Sequence, residues 1–145
     1  MWIRYDRGMN PQTVPAPLDA LKRAGLRATA QRVALLTHLM RVREPETVED
    51  ITHALHRTLD PVTAYRSLSQ MRDAGLVRAL TFGGAVRYEY AARHHHHHLV
   101  CRECGRIEDV DVCVPALSSR SIARAGFASV ADHSLEFFGV CAACA

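Results

Sequence analysis

The chain has no apolar run approaching the roughly 20 residues that cross a bilayer as a helix, which excludes a helical membrane span. It opens Met1-Trp2-Ile3-Arg4 with no apolar h-region, so a cytoplasmic rather than a secreted protein is expected. It lacks an H-E-x-x-H motif and a deaminase signature, which leaves little basis for a zinc enzyme. No βαβ pattern accompanies its cysteines, so a thioredoxin-like redox role has no support. Net charge is small, at +3, and a hydrophobic content of 48% is ordinary for a soluble domain. The chain is long enough for one domain or two small ones.

What the sequence does contain is concentrated near its end. Cys101-Arg102-Glu103-Cys104 and Cys141-Ala142-Ala143-Cys144 share one spacing, and the histidines His94 to His98 run unbroken just before the first pair. Each C-x-x-C loop puts two thiolates on a tight turn, and two loops supply the four sulfurs of a closed tetrahedral zinc site. Disulfides are the alternative. A reducing compartment disfavours them, and a total of five cysteines leaves Cys113 over. The histidines are no purification tag, because the run is internal and flows into Leu99-Val100-Cys101. A thiolate site beside an imidazole-rich segment suggests one metal that holds the protein together and another that is sensed.

Charge divides the chain as well. Residues 1–93 carry 14 Arg and Lys against 9 Asp and Glu, or +5, while residues 94–145 carry 4 against 6, or −2. The basic part suits a polyanionic partner. Its pattern gives a flexible arm over 1–16, with Met9 a possible alternative start, and then four helices. Leu18 and Leu21 follow Pro17 in a helix ending near Gly25. Thr29 caps a second, with Val33, Leu36, Leu39 and Met40 at helical spacing, and Pro45 breaks the pattern. Thr47 caps a third, with a buried stripe of Val48, Ile51, Leu55 and Leu59. Asp60-Pro61 starts a fourth that runs to Gly75, with Ala64, Leu68 and Met71 inward and almost nothing between helices three and four. Two strands about Gly83-Gly84 complete a winged helix, whose second helix-turn-helix element enters the major groove.

Beyond the histidines, strands are expected over His98–Cys101 and Arg106–Val112, a helix over 115–125, and a strand over Phe127–Phe138 with Leu135 and Phe137 on a buried face. So small a domain needs a zinc staple and a partner subunit. On an extended segment successive side chains face opposite ways, so His96 and His98 share one face and His95 and His97 the other.

Leu21–Arg32, Val62-Thr63-Ala64-Tyr65-Arg66-Ser67-Leu68, Asp73-Ala74-Gly75-Leu76-Val77, His94–Cys101 with Cys104-Gly105, and His133-Ser134-Leu135-Glu136 through Gly139-Val140-Cys141 together resemble the ferric uptake regulator superfamily of bacterial metal-responsive repressors. The resemblance runs in order over residues 18–144 and is strongest toward its zinc uptake branch. It implies an α+β protein: a winged helix-turn-helix DNA-binding domain over 17–90, a hinge over 91–93, and a small α/β dimerisation domain with a four-cysteine zinc site over 94–145. It also implies a homodimer that binds double-stranded operator DNA when its sensor is loaded, with no membrane or small-molecule substrate as partner.

By the same resemblance Cys101, Cys104, Cys141 and Cys144 hold structural zinc. Glu89, His96 and His98 match sensor ligands, and His95, His97 and His133 a second metal site. Arg27, Arg32, Thr63, Tyr65 and Arg66 match DNA-binding positions, with Tyr65 and Arg66 able to read bases. The sequence departs from the family twice. Where a sensor histidine usually precedes the third helix, it reads Arg43-Glu44-Pro45-Glu46-Thr47, leaving Glu46 or Glu44 as substitutes. Where the second site commonly has a carboxylate, it has Ala116, leaving Asp111 or Cys113 to serve, unless Cys113 simply packs as a small hydrophobe.

No aspartate interrupts the histidines, and neutral imidazoles suit Zn²⁺ better than Fe²⁺ or Mn²⁺. The expected function is a zinc-responsive repressor of metal-uptake genes. Iron, manganese or peroxide response within the superfamily is the alternative, followed by a zinc store or a zinc enzyme.

Overall fold

The computed structural model of the protein describes residues 15–93, 95–112, 117–130 and 133–145. The chain divides at residues 94 and 95 into two compact units. The first opens with four helices whose starts follow from their first residues. α1 (Pro17–Arg23) begins on proline, whose missing N–H costs nothing there. α2 (Ala30–Arg41) is capped by Thr29, whose hydroxyl accepts from the Arg32 amide at 3.3 Å. α3 (Val48–Ala54) carries a reciprocal capping box between Thr47 and Asp50. α4 (Pro61–Asp73) is capped by Asp60, which accepts from the Thr63 amide at 3.0 Å.

Leu21, Leu35, Leu36, Leu39, Ile51, Leu68 and Met71 form the centre of one core and are fully buried. Each such side chain stabilises the fold by about 1.5–3 kcal/mol. The buried face of α2 differs from the expected stripe: Leu35 is in the core, whereas Val33 and Met40 are only partly buried against it. α3 also stops at Ala54, short of Leu59, which is buried from outside any helix. Leu55 to Asp60 therefore separate α3 from α4, where close juxtaposition was expected.

β1 (Val77–Phe82) and β2 (Ala85–Tyr90) pair antiparallel with Phe82 opposite Ala85. Gly83 and Gly84 alone make the turn, at φ of 56° and 79°, a conformation that side chains oppose and glycine accepts. Tyr88 and Tyr90 join the helical core from β2, and Glu46 bridges to Tyr88 just before α3. The unit is a winged helix-turn-helix.

In the second unit β3 (His97–Cys101) is central, antiparallel to β4 (Ile107–Val110) and parallel to β5 (Glu136–Gly139). α5 (Ser119–Arg124) starts later than expected because Ser118 caps it, its side chain accepting from the Ser121 amide. Cys113 and Ala116 lie outside the described residues. Among the described residues of the long strand expected over Phe127–Phe138, those in strand belong to β5, and Phe137, expected in a buried face, is 39% exposed. Among the described residues the buried apolar members of this unit are Val100, Cys101 and Ile107. Three such side chains are by themselves too few to hold three short strands. Among the described residues, no helix is long and apolar enough to cross a membrane.

Candidate functional site

β3 ends at Cys101, and the turn after it closes with Gly105 N donating to the Cys101 carbonyl at 3.0 Å. The second pair sits on a like turn, with Cys144 N donating to the Cys141 carbonyl at 2.9 Å. The parallel pairing of β3 with β5 brings the two turns side by side, and the Cys141 amide donates to Cys101 Sγ at 3.3 Å. All four thiols are free, and their sulfurs lie within 4.8 Å of one another. Cys104 and Cys141 are 3.7 Å apart, close to the about 3.8 Å that a tetrahedron of 2.3 Å zinc–sulfur bonds requires. Backbone amides of Cys104 and Cys141 pull the Cys101 thiol down to about 6, while hydrogen bonds with Cys141 and Cys104 push Cys144 up to about 12. Sulfurs so crowded repel as thiolates and suit a dication, and the donor set fits structural zinc.

His97 and His98 lie on β3 and His95 and His96 just before it, and the four rings divide between two sides. On one face His95 Nε2 and His97 Nε2 are 3.1 Å apart, and the His133 ring packs 4.6 Å from His95 and 5.2 Å from His97. One ring nitrogen of each lies within 4.8 Å of the others. His97 is 1% exposed, and its Nδ1 is buried with no hydrogen-bond partner. Burial, then the neighbouring His95 and His133, lowers its pKa, so it stands as the neutral imidazole that a metal requires.

On the other face the His96 and His98 rings are 4.9 Å apart. Asp109, opposite His98 in the β3–β4 register, places its carboxylate 4.0 Å from His96 Nε2 and 3.8 Å from His98 Nε2. Those gaps are too long for hydrogen bonds and within the span of two metal–ligand bonds of about 2.0–2.2 Å each. Both imidazole groups therefore fit a divalent ion.

Glu89 and Glu46 belong to the first unit. Glu89 lies on β2 opposite Arg78, with Arg93 Nη1 3.6 Å from its carboxylate. Glu46 is engaged by His38 of α2, whose Nε2 is 2.5 Å from its carboxylate. Among the described residues no metal-ligating group of three or more includes Glu46 or Asp111. Glu46, expected as a sensor ligand, has its carboxylate against the His38 ring here.

On α4, Tyr65 is 59% exposed and Arg66 is exposed beside it, next to an exposed Val62. Thr63 is committed to the cap, its hydroxyl donating to Asp60 at 2.5 Å. Arg27 is exposed in the loop between α1 and α2. Arg32 donates to the Arg27 carbonyl at 3.0 Å and to the Gln70 side chain, so it is held within the unit.

A model of the ferric uptake regulator family matches residues 23–138. The chain belongs to that family. It is 36% identical over 134 residues to the peroxide operon regulator of Bacillus subtilis, covering 88% of this chain and 90% of that one. It is 37% identical over 126 residues to the zinc uptake regulation protein of Mycobacterium tuberculosis, covering 83% and 96%. The Helicobacter pylori ferric uptake regulator superposes with a TM-score of 0.68 at 26% identity over 87% of both chains. Family members are metal-responsive, DNA-binding transcription regulators and not enzymes. Identity alone does not separate zinc from peroxide response, because the two relatives differ by a single per cent.

Three residues of this family member were not singled out in its sequence. Asp109 is one of several acidic residues near β4, and only the strand register shows which of them faces His96 and His98. His38 looks like any polar residue of α2. Gln70 carries no charge to draw notice, and its role depends on a long-range contact with Arg32.

Proposed function

We propose that the protein is a zinc-responsive repressor that acts in the cytoplasm and binds operator DNA as a homodimer. The observation that carries this reading is β3, which presents imidazoles on both faces and ends in the four-cysteine cluster, in a chain that also carries a winged helix with an exposed Tyr65–Arg66 face. Residues 17–90 form the DNA-binding domain, 91–93 the hinge and 94–145 the dimerisation domain. Arg27, Tyr65 and Arg66 contact DNA. Dimerisation is supported by Leu99, Leu117, Phe127, Phe138 and Val140, apolar side chains 44–66% exposed in the single chain.

Cys101, Cys104, Cys141 and Cys144 hold structural zinc. His96 and His98, with Asp109 and with Glu89 from the end of the wing, are the sensor ligands. His95, His97 and His133 form a second site. A bound ion supplies a positive charge that carboxylate and imidazole satisfy together. With Glu89 and His96 sharing one ion, the residues between them lose freedom, and fewer domain arrangements compete with the one that fits two half-sites.

Zinc is supported by the two buried imidazoles of His96 and His98 at the sensor face. Iron or manganese is the second reading, and Asp109 supports it by adding a hard oxygen beside His96 and His98. DNA affinity measured at buffered free Zn²⁺, Fe²⁺ and Mn²⁺ separates them. Zinc is expected to activate at the lowest free concentration. Activation by Fe²⁺ or Mn²⁺ at concentrations where zinc fills only the cysteine site overturns the zinc assignment.

A further inference from the structure

Arg32 lies in the first turn of α2, where its counterpart by resemblance sits near the DNA backbone. Its guanidinium joins two separate elements of the first unit. Nη1 donates to the Arg27 carbonyl at 3.0 Å, and Nη2 donates to Oε1 of Gln70 on α4. The same Arg27 carbonyl accepts from the Thr29 amide at 3.0 Å, so the loop entering α2 is gathered at one point. Gln70 lies four residues after Arg66 and hence on the same side of α4. A planar guanidinium has fixed, divergent donors and can hold two acceptors at a set angle, which a lysine ammonium on a flexible stem cannot.

We propose that Arg32 is a positioning residue for DNA reading: it clamps the loop carrying Arg27 to the recognition helix through Gln70. Arg27 and Arg66 then meet the duplex in a fixed relation, with the ordering completed before DNA arrives. The inference rests on the reading that α4 recognises DNA. A clamp and a phosphate contact leave different signatures. A phosphate contact strengthens all sequences alike and adds to the salt dependence. A clamp acts on selectivity and adds no charge to the interface.

The test uses the full chain in excess Zn²⁺ with two probes, a duplex enriched by the wild-type protein from a randomised pool and an unrelated duplex of equal length. Affinities are measured across a salt series. Gln70→Ala and Arg32→Lys are each expected to lower the ratio of enriched to unrelated affinity about three- to tenfold, the range of a typical hydrogen bond. The double variant should be no worse than the poorer single one, and the salt slope should stay at its wild-type value. Gln70 is exposed, so its truncation leaves the core intact and decides the matter even where an Arg32 variant folds poorly. A wild-type ratio in Gln70→Ala, or losses that multiply in the double variant, overturns the clamp. So does an Arg32→Ala protein that weakens on both duplexes alike with a salt slope smaller by about 0.9. Arg66→Ala tests the underlying reading separately. A wild-type ratio there removes α4 as the reader, whereas a reduced ratio there with Gln70→Ala intact removes only the clamp.

Discussion

His38 Nε2 stands 2.5 Å from a carboxylate oxygen of Glu46, joining the last turn of α2 to the segment that leads into α3. Both side chains are about one-fifth exposed, at 18% and 23%, so solvent screens the pair and its worth is modest. His38→Ala and Glu46→Gln are each expected to destabilise the first unit by about 0.5–1.5 kcal/mol in urea titrations. Neither should abolish metal-dependent DNA binding. A Glu46→Gln protein of full stability that no longer responds to metal would identify Glu46 as a sensor ligand.

The cysteine cluster makes a second prediction. Cys144→Ser should release one tightly held zinc per chain and destabilise the second unit, because structural zinc contributes on the order of 10 kcal/mol to the folding of small domains. Zinc uptake by the metal-free protein should weaken as pH falls, since a thiol held near 12 must give up its proton on binding. Elemental analysis and a pH series of zinc competition check both. Unchanged zinc content in Cys144→Ser refutes the assignment.

His97 sets the sign of a pH effect in the metal-free protein. Burial holds its pKa in the fold below the ordinary 6.5, so the unfolded chain binds the proton more readily. Its contribution to stability is therefore present above about pH 6.5 and is lost as pH falls toward the lower folded value. Chemical denaturation across pH 5–8 should show that loss, and His97→Leu should reduce it. An equally steep profile in His97→Leu assigns the effect to other groups.

The face of His96 and His98 makes the allosteric prediction. Changing both to alanine should keep the four-cysteine zinc and dimerisation while ending metal-dependent DNA binding, and Asp109→Asn should raise the metal concentration needed. By reciprocity, operator DNA should tighten metal binding at this site by the factor that metal tightens DNA binding. A double variant that still requires added metal moves the sensor to His95, His97 and His133.

Much of the first unit was legible because its signals are local. Thr29, Thr47 and Asp60 cap their helices where the sequence places them, and Gly83-Gly84 marks a turn of two residues. The end of α3 was not legible, because Leu59 keeps helical spacing while reaching the core from a turn. In the second unit the alternation of the histidines was readable from extended geometry, and the pairing of the two C-x-x-C loops from the spacing of zinc ligands. Asp109 was not, since its facing partner depends on how β4 registers against β3. The extent of β5 was not either, because pairing with a distant strand sets its length and its own side-chain pattern does not.

The proposed ligand groups draw on four of the five histidines in the run. Counted back from Cys101, the two faces use His98, His97, His96 and His95, and His94 lies beyond them. A deletion of one histidine from the run would act on this arrangement. Such a loss here would leave four imidazoles at unchanged distances along the chain from Cys101. What shortens is the tether back to Glu89, by one residue. A contraction of the repeat would therefore alter the coupling between the wing and the strand while keeping the imidazoles of both faces, a route by which the protein could change its response to metal without changing its ligands.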